Sequence, residues 1–349
     1  MIEFQKVVKQ SKIRSPLKNF EEETITFEYR TDPLTGRNTT VIAGMLNYVS
    51  KFQPSEPQLL EALVEKTKAT CPFCPQSVRS KTPMFTQDFL PEGRIVSGQA
   101  TIIPNLLGHA EQSILAILSQ SHSLRLDEFT PQLLFDGFLG AMQYLKRLSE
   151  VDPSARFPAF AFNFLPPAGS SIFHPHMQIL ARDRPFYLVD LMLQKSKTYF
   201  EYRGHSFWSD LLAAEKDGER YLFSREGVEW LVPFAPLRGM NEVQAVVPKK
   251  ANFMELGEAE WRGLAEGISQ VLQFYHAQGY GCFNIIIASG PMDEHLDYFD
   301  VNLRIISRPG IQQWNYTDAW AAPYLLWDGE AVEQPEELAS RARQFFNEK

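Results

Sequence analysis

His174-Pro175-His176-Met177-Gln178 sets two imidazoles and a carboxamide at every second position of an apolar run that continues through Ile179 and Leu180. In a strand, residues two apart share a face, so His174, His176 and Gln178 point the same way. Pro175 withholds one ladder donor, which suits an edge or irregular strand. Just upstream, Gly169, Ser170 and Ser171 bring backbone N–H groups and hydroxyls of the kind that hold phosphate oxygens. A neutral imidazole attacks phosphorus and forms a phosphoramidate reactive enough to hand the group on. Gln178 donates to a phosphate oxygen but is no acid or base, which favours group transfer over hydrolysis.

A second constellation is Cys71-Pro72-Phe73-Cys74. With Cys282 the chain has three cysteines, too few for a disulfide framework, and a Cys-x-x-Cys pair is half of a tetrahedral zinc site. No second cysteine pair exists, so the remaining ligands are histidines, with His174, His109 and His122 as the candidates. A zinc ion bound through His174 would brace the strand carrying His176, a structural rather than catalytic role.

Around these residues, Thr24–Arg30 alternates as a half-buried strand, and Asp32-Pro33-Leu34-Thr35-Gly36 is a turn leading to a returning strand over Thr39–Ala43. The mixed, polar stretch to about Glu23 is expected to be partly mobile. Residues 57–68 read as a helix, 100–103 and 113–118 as strands, and Leu126–Leu148 as a helix opened by Thr130-Pro131. The same order returns downstream: a strand over 243–247, a helix over 256–275, then strands over 283–287 and 300–308. Laid on the first copy, Asn284 falls opposite Asn163, Asp300 opposite His174, Asn302 opposite His176 and Arg304 opposite Gln178. This is a diverged internal duplication in which the first copy alone keeps the histidine pair. The expected division is an N-terminal half over 1–182, a connecting segment over 183–230 and a C-terminal half over 231–349. Residues 333–348 read as an amphipathic terminal helix.

At 349 residues, 44% hydrophobic and 22% charged, the chain has ample material for a core of two units. A formal charge of −8 argues against a nucleic-acid binder. No membrane span or secretory signal is visible, and a cytoplasmic location is expected.

Together these residues resemble the galactose-1-phosphate uridylyltransferase-like family of the histidine triad superfamily. The similarity runs over Arg30–Arg37, Cys71–Cys74, Phe85–Phe89, Ser121–Phe129, Asn163 and Ser171–Gln178, the last being the specific motif. It implies an α+β fold: two histidine-triad-like halves forming a mostly antiparallel sheet flanked by helices, in a homodimer. It further implies that His176 takes the nucleoside monophosphate covalently, that Gln178 and Ser171 contact phosphate, and that Asn163, Gln87 and Asp88 contact the nucleotide. Cys71, Cys74, His122 and His174 match the zinc ligands, His122 being preferred to His109. Where relatives carry a second His-x-His that binds a further metal, this chain has Asp300-Val301-Asn302, so that site is not expected. The implied substrates are a nucleotide sugar and a sugar phosphate, or inorganic phosphate in a phosphorylase; a catalytically silent nucleotide-binding protein is the alternative outside enzymes.

Overall fold

The computed structural model describes residues 2–42, 44–52, 54–238, 240–314 and 317–348. Ala43, the expected end of the returning strand, lies outside them. The framework is a ten-stranded, wholly antiparallel sheet. From one edge its strands are Ile95–Ser97, Ala100–Pro104, Gln112–Ile117, His176–Arg182 and Phe157–Phe164, then Cys282–Ala288, Val301–Arg308, Met240–Val247, Val228–Leu231 and Tyr221–Arg225. Numbered from the centre outwards, each half uses its five strands in the same chain order: fourth, fifth, third, second, first. The fold is therefore α+β with a duplicated unit, and the two units share one continuous sheet. The outer hairpin of the second unit, 221–231, lies, all but Leu231, within the stretch 183–230 read as connecting.

The pairing registers decide which residues correspond. Gln178 lies opposite Leu115 and Ala161, while Arg304 lies opposite Gln244 and Ile286. Superposing Gln178 on Arg304 therefore lays Ala161 on Ile286, and these two are themselves paired across the central seam. His176 then corresponds to Asn302 and His174 to Asp300. Asn163, by contrast, falls on Ala288. Asn284 is not its counterpart but its cross-strand partner. The sequence alignment had matched two asparagines that the sheet places face to face.

One face of the sheet is covered by two long helices, Pro131–Val151 and Glu258–Ala277, which lie at matching places in the two units. Thr130 caps the first by accepting from the Leu133 N–H. Phe160, Phe162 and Phe164 alternate along one strand and point into this layer, where they meet Phe129, Phe138 and Phe283. Each such ring, once buried, contributes about 1.5–3 kcal/mol. The alternation leaves Ala161, Asn163, His176 and Gln178 on the other face, free of the helices.

That other face is roofed differently in each half. Over the first, Cys71, Phe73 and Cys74 pack on Ile103, Leu115 and Ile117. Over the second, the helices Tyr187–Arg203 and Phe207–Glu215 pack on Leu231, Val246 and Phe299. A smaller sheet pairs Lys6–Ser15, Glu21–Thr31, Asn38–Ile42 and Gly329–Ala331. Its first strand was not read from the sequence: almost all its residues are exposed, so no apolar alternation marks it. Arg30, at the inner end of this sheet, is fully buried and donates to Glu28 and Glu336 at 2.8 Å each. The helix Pro335–Asn347 closes the chain.

Candidate active site

The strand bearing the motif begins at His176, not at His174. Pro175 has no N–H, and its carbonyl instead accepts from Leu118. His174 thus lies in the segment entering the strand, and its carbonyl is turned towards the His176 ring. His176 Nδ1 lies 2.8 Å from that carbonyl oxygen, which only accepts, so Nδ1 carries the proton and Nε2 carries the lone pair. Nε2 has no hydrogen-bond partner among the described residues. The ring is 8% exposed, and burial holds its pKa below the usual histidine value, which keeps it neutral. A neutral imidazole of fixed tautomer with a free ring nitrogen is the form a nucleophile requires.

His174 is completely buried, and its Nδ1 lies 3.8 Å from Cys71 Sγ and 3.7 Å from Cys74 Sγ. His122 Nδ1 lies 3.5 Å from Cys74 Sγ. The four ligand atoms all lie within 4.8 Å of one another. Tetrahedral zinc bonds to sulfur and nitrogen imply S···N edges of about 3.6 Å, so the spacing fits a metal ion. The remaining ring nitrogens fit as well. His174 Nε2 donates to the Ser119 carbonyl at 2.7 Å, and His122 Nε2 donates to Thr67 Oγ1 at 3.0 Å, the Thr67 hydroxyl itself donating to Leu63 O. Both histidines therefore present unprotonated Nδ1 atoms to the thiols, the outer arrangement that metal-bound imidazoles show. Burial and neighbouring Cys71 push the Cys74 thiol up to about 11, a penalty on the thiolate that a bound cation removes. His109 is exposed on its loop and takes no part. Phe73, between the two cysteines, lays its ring edge-on to both His174 and His176, so the cysteine turn touches the candidate nucleophile directly.

Gln178 is half-buried on the same face as His176, with its amide unpaired among the described residues. Continuing the strand register sets Asn163 level with His176. Asn284 donates to Asn163 Oδ1 at 2.6 Å and to the Ala168 carbonyl at 2.8 Å, and accepts from Arg308 at 2.8 Å. Of the three small residues upstream, Gly169 and Ser170 shape the turn. Gly169 has φ +88° with its N–H on the Pro166 carbonyl, and the Ser170 N–H and hydroxyl bond to Leu165 and Ile172. Ser171 is exposed, with its hydroxyl free among the described residues. Gln87 and Asp88 are exposed in a segment anchored through the Asp88 and Phe89 carbonyls to Arg147 of the helix Pro131–Val151. No hydrogen bond, ion pair or ring contact joins them to His176 among the described residues. Asn284 was missed as a site residue because the alignment took it for a duplicate of Asn163.

The doubled five-strand unit, with one His-Pro-His motif beside a Cys2His2 group, defines an α+β architecture in which two copies of one motif share a sheet. More narrowly, the fold is that of the galactose-1-phosphate uridylyltransferase-like proteins. A GalT-like protein from Arabidopsis thaliana superposes with a TM-score of 0.69 at 19% identity, covering 91% of this chain and 98% of that one. An ADP-glucose phosphorylase from the same plant, solved with bound ADP-glucose, gives 0.71 at 18% identity over 91% and 98%. A uridylyltransferase mutant gives 0.66 at 18% identity over 92% and 99%. An uncharacterized protein of Archaeoglobus fulgidus is 28% identical over 350 residues, 99% of this chain and all of that relative. No family model matches the chain. Among the described residues, no helix is long and apolar enough to cross a membrane.

Proposed function

We propose that the protein transfers a nucleoside monophosphate from a nucleotide sugar to a phosphate-bearing acceptor through a covalent nucleotidyl-His176 intermediate. His176 Nε2 attacks the phosphorus next to the nucleoside; a P–N bond forms, the P–O bond to the sugar phosphate breaks, and the sugar phosphate leaves with the electron pair. An oxygen of the acceptor phosphate then attacks the same phosphorus and the P–N bond breaks. The Nδ1–H bond to the His174 carbonyl persists throughout and stabilises the charge that the ring gains on bonding to phosphorus. Gln178, Ser171 and the free amide of Asn163 donate to phosphate and nucleotide oxygens. Gln87 and Asp88 belong to the nucleotide site in this reading through motif resemblance alone.

Cys71, Cys74, His122 and His174 would hold a zinc ion. Bound there, it ties the cysteine turn to the segment that enters the catalytic strand, and so fixes the carbonyl that orients His176. The similarity of the fold to a uridylyltransferase and to an ADP-glucose phosphorylase supports nucleotide sugars as substrates and leaves sugar phosphate and inorganic phosphate as acceptors. A homodimer and a cytoplasmic location go with this reading.

The observation that carries it is the single hydrogen bond from His176 Nδ1 to the His174 carbonyl. The test is incubation with UDP- and ADP-sugars labelled in the phosphate next to the nucleoside, followed by alkaline denaturation. Label retained by the protein and lost in His176→Ala supports transfer. A binding protein without catalysis retains none. Adding phosphate or a panel of sugar phosphates to the labelled protein identifies the acceptor.

A further inference from the structure

Beyond Asn163 and Asn284, the face of the sheet opposite the two long helices opens into a cleft of about 430 Å3. Three guanidinium groups line it, those of Arg37, Arg238 and Arg304, with one carboxylate, Glu242. They arrive from separate segments: the residue after the Pro33–Gly36 turn, the loop before Met240, and the strand Val301–Arg308. Glu242 is fully engaged, accepting from Arg304 and from the Leu237 and Arg238 backbone N–H groups. Arg37 donates to the carbonyls of Leu237 and Pro236 at 3.1 and 2.9 Å. Arg238 donates to the Pro323 carbonyl at 2.7 Å and lies over the Tyr324 ring. Neutral carbonyls and a ring do not cancel charge, so the lining holds two more cations than anions. Among the described residues, Arg37 Nε, Arg304 Nε and Arg238 Nη1 have no hydrogen-bond partner. Buried guanidinium N–H groups without acceptors are unfavourable, and these three lie beneath the surface of the cleft whose walls their residues form. Burial, with Arg304 and Arg238 adding to it and Glu242 and Asp32 opposing it, holds the Arg37 guanidinium down to about 10.

Two further relationships give the cleft an orientation. Arg304 corresponds to Gln178 through the pairing registers, so the second copy puts a cation where the first puts a phosphate-facing amide. Along the sheet, His176 is level with Asn163, Asn163 pairs with Asn284, and Asn284 pairs with Ile306. Three strand spacings make about 14 Å, which a sugar phosphate and the reach of an arginine side chain together span. A ligand with its phosphate at His176 lies across the two asparagines, and its far end meets the guanidinium groups. Ile286 and Trp327 supply apolar wall for the ring.

We propose that this cleft selects a sugar phosphate carrying a second anionic group, a carboxylate or a further phosphate, at the end of the sugar remote from His176. The proposal rests on the nucleotidyl-transfer reading for its orientation and adds the substrate's chemical class. Calorimetric titration with glucose 1-phosphate, glucuronic acid 1-phosphate and glucose 1,6-bisphosphate tests it on the wild type and on the Arg37→Gln/Arg238→Gln double variant. At least one doubly anionic sugar should bind tenfold or more tighter than glucose 1-phosphate to the wild type, and the two acids distinguish carboxylate from phosphate. The ratio should fall to about one in the double variant. Should that variant fail to fold, the wild type alone decides: the ratio shrinks as sodium chloride rises from 50 to 500 mM. Equal affinity for all three sugars, or a ratio insensitive to both the substitutions and salt, overturns the proposal. Label on His176 without any preference would remove the anionic sugar and keep transfer; a preference without label would do the reverse.

Discussion

Asn284 donates its amide to Asn163 Oδ1 at 2.6 Å across the seam where the two halves meet. That bond fixes which end of the Asn163 amide faces the catalytic strand: the oxygen is taken, so the N–H2 group is presented to a ligand. Asn284 is held in turn by the Ala168 carbonyl and by Arg308, whose guanidinium is paired with Asp318 at 2.5 Å. The second half thereby orients a group beside His176 of the first.

Asn284→Ala leaves the Asn163 amide free to turn. The loss of one oriented hydrogen bond, about 1.4 kcal/mol, predicts a roughly tenfold fall in kcat with little change in KM. Steady-state kinetics with a melting curve check it; a change in KM alone, or an equal loss in a variant that melts early, counts against positioning.

Metal analysis of the purified protein should find one zinc ion per chain. Cys74→Ser and His122→Ala should each lower it to a small fraction of that value, whereas His109→Ala should leave it unchanged. The expected secondary effect is slower labelling of His176, because Phe73 and the His174 carbonyl move with the cluster.

Asp300 is buried, with one oxygen on the Lys249 N–H and the other without a partner, and burial raises its pKa to about 7. A raised carboxyl favours the folded state below its ordinary pKa near 4, and that advantage is lost as pH rises through about 7, with an upper bound of about 4 kcal/mol. Asp300→Asn keeps the bond to Lys249 and removes the ionisation. The variant should match the wild type in denaturant titrations at pH 3, exceed it at pH 8.5 and show an intermediate gap at pH 5; equal stability at all three pH values would show that Asp300 ionises freely.

Glu336 is held down to about 2 by Arg30 and Arg220, against the opposing effect of burial. Its contribution is present above pH 4.5 and is lost as pH falls through 2. Glu336→Gln leaves the buried Arg30 with Glu28 alone, at a cost of about 3 kcal/mol near neutrality. Urea unfolding at pH 7 should show that loss, and the gap to the wild type should narrow below pH 3.

The histidines and cysteines were legible because their chemistry is confined to a few residue types at fixed spacings. The strand Phe157–Phe164 was not read from the sequence, although Phe160, Phe162 and Phe164 alternate along it. The strand Lys6–Ser15 was not legible, since a ribbon exposed on both faces has no period-two apolar signal. His174 was read into the strand because sequence alternation continues through Pro175, whereas the ladder of hydrogen bonds does not. Asn284 was set against Asn163 because similarity along a chain does not report register, and a shift of a few residues in one hairpin was enough to turn a counterpart into a partner. Arg37, Arg238 and Arg304 stand more than sixty residues apart from one another, and only the folded sheet brings them to one cleft.

The shared seam also bears on how the chain can be cut. Phe157–Phe164 and Cys282–Ala288 complete each other's hydrogen bonding, so a fragment ending near residue 182 would leave an uncovered aromatic-rich border. Such a border invites pairing with another molecule. Expressed alone, the N-terminal portion should precipitate or capture a stray strand, and co-expression of the remainder as a separate polypeptide should restore it to solution.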